Sequence, residues 1–379
     1  MRAAKAGDRA ACEHALTTTG KDPRAFVTEC FESNGGNALH YAASAGSAAV
    51  LEYLLDLGCD VDTHKRDAKT PLHEACNHGQ GTAVELLLAR GANVNAKKTN
   101  DWSPLHYAAQ HGTVGPILAL LKAGADVDGR NREGASPLLL AAREGHKEAV
   151  AALLEAGAAP DATTRTLRTP LLTAVAHGRA GVVSQLLAAG ASPAHADSCG
   201  QTVWHACAAA GDEAMARHLL AAGVRPAASE DAGGGGSGTN GSRDGASGGS
   251  GDATAAGSSS LRGQHPLHQA ALEGHAGFVA FLFREGLAVP DTADADGATA
   301  LYYASSGGHT ECMEVLLAVG ADPSRASVRR APLHACAGWR ATAGSMVAAR
   351  YAACVRQLLE AGADVWARDK DGRTALEVA

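Results

Sequence analysis

Apolar residues along the chain fall in short clusters, each closed by a glycine, and the clusters repeat. Thr70-Pro71-Leu72-His73-Glu74-Ala75-Cys76 runs to Gly79, and Leu86-Leu87 leads to Gly91-Ala92-Asn93-Val94-Asn95. Ser103-Pro104-Leu105-His106-Tyr107-Ala108-Ala109 runs to Gly112, and Leu120-Leu121 leads to Gly124-Ala125-Asp126-Val127-Asp128. Ser136-Pro137-Leu138-Leu139-Leu140-Ala141-Ala142 runs to Gly145, with Leu153-Leu154 and Gly157-Ala158 after it. Leu39, Leu72, Leu105, Leu138 and Leu171 recur every 33 residues, and Trp204 continues the spacing. Gly58, Gly91, Gly124, Gly157, Gly190 and Gly223 hold the same period of 33. Two independent markers in one period make the chain a repeat array.

Each period predicts two short helices and an extended loop. Thr70 and Ser103 stand where a helix N-cap is wanted, and the proline after each suits the first helical position. Gly79 and Gly112 stop the first helix, because glycine takes the left-handed conformation at low cost. The Leu-Leu pair marks a second helix, and Ala-Asp/Asn-Val-Asp/Asn is turn-forming sequence leading to the next cap. Helices of two or three turns are marginal alone and gain stability by stacking on neighbours.

The combination of caps, core positions and period resembles the ankyrin repeat, T-P-L-H-x-A-A-x-x-G-H followed by L-L-x-x-G-A-D-V-N. The resemblance implies an all-α repeat solenoid of about nine stacked helix-loop-helix units with hairpin or loop tips and a curved, concave surface. It also implies a structural role for His40, His73, His106, His205, His268 and His334, which hold the fourth place of the T-P-L-H motif.

The pattern divides the chain. Residues 1–31 read as a degenerate or partial first repeat, and residues 32–226 as regular repeats. Residues 227–260 are rich in glycine and serine with almost no large apolar side chain, which predicts a disordered insertion. Trp204 to Leu267 spans 63 residues, one repeat plus the insertion, so a stack that continues past a loop is the preferred arrangement over two separate arrays. Repeats resume over 261–379; the last complete one is enlarged by an insertion near 338–350, where Trp339 is either an exposed anchor or packed on a neighbouring helix. Partial units at both ends suggest a piece of a longer protein.

Composition adds little to this and removes some alternatives. The chain has 379 residues, 46% hydrophobic, with aromatics at only 4%, which suits closely stacked short helices. A net charge of −7 gives no general case for nucleic acid. The nine cysteines are odd in number and include no C-x-x-C pair, so free thiols in a reducing compartment are expected in place of a disulfide framework. Neither a leader segment nor an apolar run long enough to span a bilayer is present, and the expected location is intracellular, cytoplasmic or nuclear.

No motif carries catalysis. G-x-x-x-x-G-K-[ST], a partnered G-x-S-x-G and H-E-x-x-H are all missing, and Gly233 to Gly236 lie in low-complexity sequence, not between a strand and a helix. His73/His78 and His106/His111 are five apart, off the i, i+4 spacing that places two metal ligands on one helix face. The expectation is no enzyme, no metal and no cofactor.

Binding residues are sought on the loop tips and the exposed side of the first helices, where the resemblance places contact positions. Basic residues collect at the tips, including Lys65, Lys97, Lys98 and Arg130. The candidates for partner contact are Arg66, Lys69, Trp102, Arg132, Arg165 and Arg168 at the tips. On the first helices they are Asn77, His78, Gln110, His111, Arg143, Glu144 and His177. A basic row with one projecting tryptophan on an acidic chain points to a protein partner with an acidic face. The bland alternative is a solvated charged edge. The function expected is a scaffold or adaptor, or the substrate-recognition part of a larger assembly, acting as a monomer. The alternative is the regulatory or targeting array of a longer multidomain enzyme or channel, with nucleic-acid binding a distant third.

Overall fold

The structure, a computed structural model, describes residues 2–19, 35–226, 263–327, 330–337 and 346–378. The expected disordered insertion at 227–260, most of the insertion near 338–350 with Trp339, and the end of the first partial unit lie outside the described residues. The chain forms two compact units, Met1–Asp197 and Ser198–Ala379.

The first unit holds α1 (Arg2–Ala6), α2 (Arg9–Thr19), α3 (Ala38–Ala45), α4 (Ala48–Asp56), α5 (Pro71–Asn77), α6 (Gly81–Ala89), α7 (Pro104–His111), α8 (Val114–Lys122), α9 (Pro137–Glu144), α10 (Lys147–Glu155), α11 (Pro170–Ala176) and α12 (Ala180–Ala188). The second unit holds α13 (Val203–Ala210), α14 (Glu213–Ala221), α15 (Pro266–Glu273), α16 (Ala276–Arg284), α17 (Ala300–Gly307), α18 (Thr310–Ala318), α19 (Pro332–Ala337), α20 (Met346–Glu360) and α21 (Ala375–Val378). In each unit the first helices of successive pairs pack side by side, α3 on α5 on α7 on α9 on α11, and α13 on α15 on α17 on α19 on α21. The second helices form a parallel row behind them. The fold is an all-α repeat solenoid.

The leucines that set the period are the core. Leu39, Leu72, Leu105, Leu138 and Leu171 are buried, and Trp204 takes the same place in α13. The histidine of the T-P-L-H motif does more than fill space. In α5 the Thr70 amide donates to His73 Nδ1 at 3.2 Å, so that nitrogen accepts and Nε2 carries the proton. Nε2 then donates to the Trp102 carbonyl of the next tip at 3.0 Å. His40 reaches the Lys69 carbonyl at 2.9 Å and His106 the Ala135 carbonyl at 3.1 Å in the same way. In the second unit His205, His268 and His334 bridge to Gln264, Thr292 and Arg373. Each of these rings except His334, whose buried Nδ1 has no hydrogen-bond partner among the described residues, ties its own helix cap to the following loop.

Leucine replaces the bridge at Leu139 and Leu172. There the cap acts alone: Thr169 Oγ1 accepts from the Leu172 amide at 3.1 Å and Ser136 Oγ from the Leu139 amide at 3.3 Å. Thr169→Ala is expected to lower unfolding free energy by about 1 kcal/mol in urea titration, the usual loss for an N-cap.

The tips are closed by backbone bonds at the same period, from Lys65 to Lys69, Lys98 to Trp102, Asn131 to Ala135 and Thr164 to Arg168. Each closure has a residue at positive φ three places after its start, Ala68, Asp101, Gly134 and Leu167, and Asn100 adds a second in its tip. Gly134 takes that conformation freely, whereas Leu167 at φ 59° carries strain on the order of 1 kcal/mol.

Candidate functional site

Tips 130–136 and 163–169, with the first helices α9 and α11 behind them, enclose a groove of about 580 Å³ in the first unit. Arg132, Arg143, Arg165, Arg168 and His177 line it, beside Glu133, Leu139, Thr164, Thr166 and Thr173. Backbone bonds hold neighbouring tips in register: the Arg132 amide donates to the Asn100 carbonyl at 2.8 Å and the Arg165 amide to the Glu133 carbonyl at 3.0 Å. The arginines therefore start from fixed points.

Their charges are not equally available. Arg143 Nε donates to Glu144 Oε1 at 2.9 Å, and Arg168 Nε lies 3.4 Å from Asp197 Oδ2. Among the described residues Arg132 reaches only the Asn100 amide oxygen, at 3.5 Å, and Arg165 has no carboxylate partner; both side chains are exposed. His177 Nδ1 donates to the Thr173 carbonyl at 2.8 Å, which fixes the ring at the end of α11. Leu139, standing where a bridging histidine stands in α5 and α7, adds an apolar wall. Guanidinium forks at this spacing suit carboxylate or phosphate oxygens.

The other candidates lie elsewhere in the first unit. Arg66 and Lys69 border a smaller hollow of about 300 Å³ with Lys65, Asp67 and Glu74. Glu74 is only 5% exposed and pairs with Lys65 at 2.5 Å and with Lys69 at 3.3 Å. Burial would raise the Glu74 carboxyl, but the two ammoniums outweigh it and hold it below the usual carboxylate range. Lys69 also sits 4.9 Å over the Tyr107 ring, so it is an internal counter-ion and not a free tip charge. Trp102 corrects the expectation of a projecting side chain. It is half-buried, packed on Ala135, Leu139 and Leu140, with its ring 5.1 Å from Tyr107. An indole is too large to leave in water when the next unit offers an apolar bed.

Asn77, His78, Gln110 and His111 close the ends of α5 and α7. His111 Nε2 meets Asn77 Oδ1 at 3.2 Å, His78 Nδ1 donates to the Glu74 carbonyl at 2.9 Å, and the Gln110 carbonyl accepts from His146 at 3.0 Å. The structure thus gathers five candidates in the groove, with Glu144 beside them. Glu133, Leu139, Thr164, Thr166 and Thr173 were not among the expected contacts, and Leu139 was detectable as a break in the histidine register. Among the described residues no three His, Cys, Asp or Glu side chains converge on a point that would hold a metal.

The sequence model of the family "Ankyrin repeats (3 copies)" matches residues 1–98, 83–166 and 249–327, well over half of the chain. The chain belongs to the ankyrin repeat family. Ankyrin repeats are in general protein–protein interaction modules and typically non-catalytic. No curated protein matches the chain. Among the described residues no helix of the ankyrin array is long and apolar enough to cross a membrane. Arg132, Arg143 and Arg165 fall inside the second ankyrin match, while Arg168 and His177 lie just beyond it.

Proposed function

We propose that the chain is an intracellular adaptor or scaffold that holds an acidic segment of a partner protein in the arginine groove of its first unit. The observation that carries this is the pair Arg132 and Arg165, exposed on latched neighbouring tips with no carboxylate paired to either among the described residues. Because the tips that carry the two guanidinium groups are already latched by backbone bonds, no loop has to be ordered when they meet carboxylates. Arg143 and Arg168 widen the positive field, although Glu144 and Asp197 partly cancel them. A cytoplasmic or nuclear setting agrees with free, buried thiols such as Cys76 and Cys207, whose burial pushes their pKa upward.

The test is a short fluorescein-labelled glutamate-rich peptide followed by anisotropy at low and physiological salt. Wild-type protein is expected to bind it and to lose affinity as salt rises. Arg132→Glu with Arg165→Glu is expected to weaken binding at least about tenfold, since close charge pairs at interfaces couple this strongly. Both side chains are exposed, so the thermal midpoint should hold. Equal binding by the double variant, or preference for a DNA duplex of equal charge, would refute the proposal.

A further inference from the structure

Leu167 stands between Thr166 and Arg168, two residues that line the groove, with 50% of its surface exposed. It occupies the positive-φ place of its tip at φ 59°, one period after Gly134, which does the same work without a side chain. A large aliphatic residue there serves the fold poorly on two counts. It strains the backbone, and it leaves apolar surface in water at an exposed point of the loop. The groove beside it is not wholly polar either, because Leu139 forms part of its lining. Arg132, Arg165 and Leu139 therefore line one space, and Leu167 is exposed on the tip that bounds it.

We propose that Leu167 is an apolar anchor at the rim of the arginine groove, and that the partner segment carries an aliphatic or aromatic side chain next to its carboxylates. This rests on the reading of the groove as an acid-binding site and specifies its ligand. Charge complementarity recruits the segment, while contact with Leu167 distinguishes it from other acidic chains.

The experiment compares short glutamate-rich peptides with a central leucine, phenylalanine or serine, by anisotropy, on the full chain. Wild-type protein is expected to favour leucine and phenylalanine over serine by about five- to tenfold, the scale of burying roughly half of one such side chain. Leu167→Gly and Leu167→Asn both suit positive φ and should reduce that preference below about twofold. The serine peptide should bind the variants as it binds wild type, with the same salt dependence. Leu167→Gly should also raise the thermal midpoint by about 2 °C, as strain is released. A preference that survives in both variants, or none in wild type, overturns the anchor and leaves the acid-binding groove standing. Failure of all the peptides to bind overturns both.

Discussion

Lowering the pH from 7 to 5 is expected to bring the array close to unfolding, because five of its buried histidines favour the neutral ring in the fold. Burial lowers the pKa of His40, His73, His106 and His265 from 6.5 to about 4, and that of His268 in the same direction. Bonds to the Lys69, Trp102 and Ala135 carbonyls oppose the shift at the first three without cancelling it. Lys65 lowers His40 further, as Lys69 and Lys98 lower His73, while Glu74 pulls both upward. A second proton has no place on His40, His73, His106 or His268, since Nδ1 already accepts from the cap amide, nor on His265, whose Nδ1 accepts from the Leu267 amide. The folded pKa lies below the unfolded one, so the unfolded chain takes up more protons as pH falls. Stability is fully present above about pH 6.5 and is lost as pH drops toward 4. Each such histidine then removes on the order of 2 kcal/mol between pH 7 and 5, and a few together approach the whole stability of an ordinary domain. Urea titrations at pH 7, 6 and 5 check this, and an unchanged midpoint would count against it. Leu139 and Leu172 show that leucine fits the register, so His73→Leu should remove that residue's share of the pH response, about 2 kcal/mol, at a cost of about 1 kcal/mol at pH 7.

The same register explains what could and could not be read from the chain. Leucines, caps and stop glycines were legible because each sits at a fixed offset and does one local job, as Leu105, Ser103 and Gly112 show. The groove was legible only in part. Arg132 and Arg165 resemble Lys69 in sequence, yet Lys69 is drawn down to a carboxylate and they are not. What separates them is Glu74, which comes from the first helix and not from the tip, and Asp197, which reaches Arg168 from 29 residues away. Neither pairing follows from charge counted along the chain. Trp102 misled for a related reason: tip position implies exposure only when the next unit lacks an apolar surface, and Ala135, Leu139 and Leu140 provide one. Leu139 and Leu167 carry their signal as exceptions, visible once the units are laid over one another and each residue is compared with its counterpart one period away.

Gly134→Ala is expected to cost about 2–3 kcal/mol and to weaken binding in the groove without touching a charge. Gly134 sits at φ +81°, where an L side chain alone costs on the order of 1 kcal/mol. A Cβ there would also lie 2.9 Å from the Arg165 amide nitrogen and 3.2 Å from Thr164 Cα, and backbone has no rotamer by which to step aside. The added strain from overpacking falls on the next tip. Gly157→Ala is the control, since its φ of +87° carries the same conformational cost with nothing within 4 Å of the new methyl. The difference between the two variants in urea titration isolates the close approach between tips. That approach is what the Arg165 amide and the Glu133 carbonyl, 3.0 Å apart, hold in place. Pushing tip 163–169 away moves Arg165 relative to Arg132, so affinity for a glutamate-rich peptide should fall several-fold in Gly134→Ala and stay level in Gly157→Ala. Equal stability losses in the two would mean the tips do not bear on one another. Unequal losses with equal binding would mean that the spacing of the two arginines is not what the groove depends on.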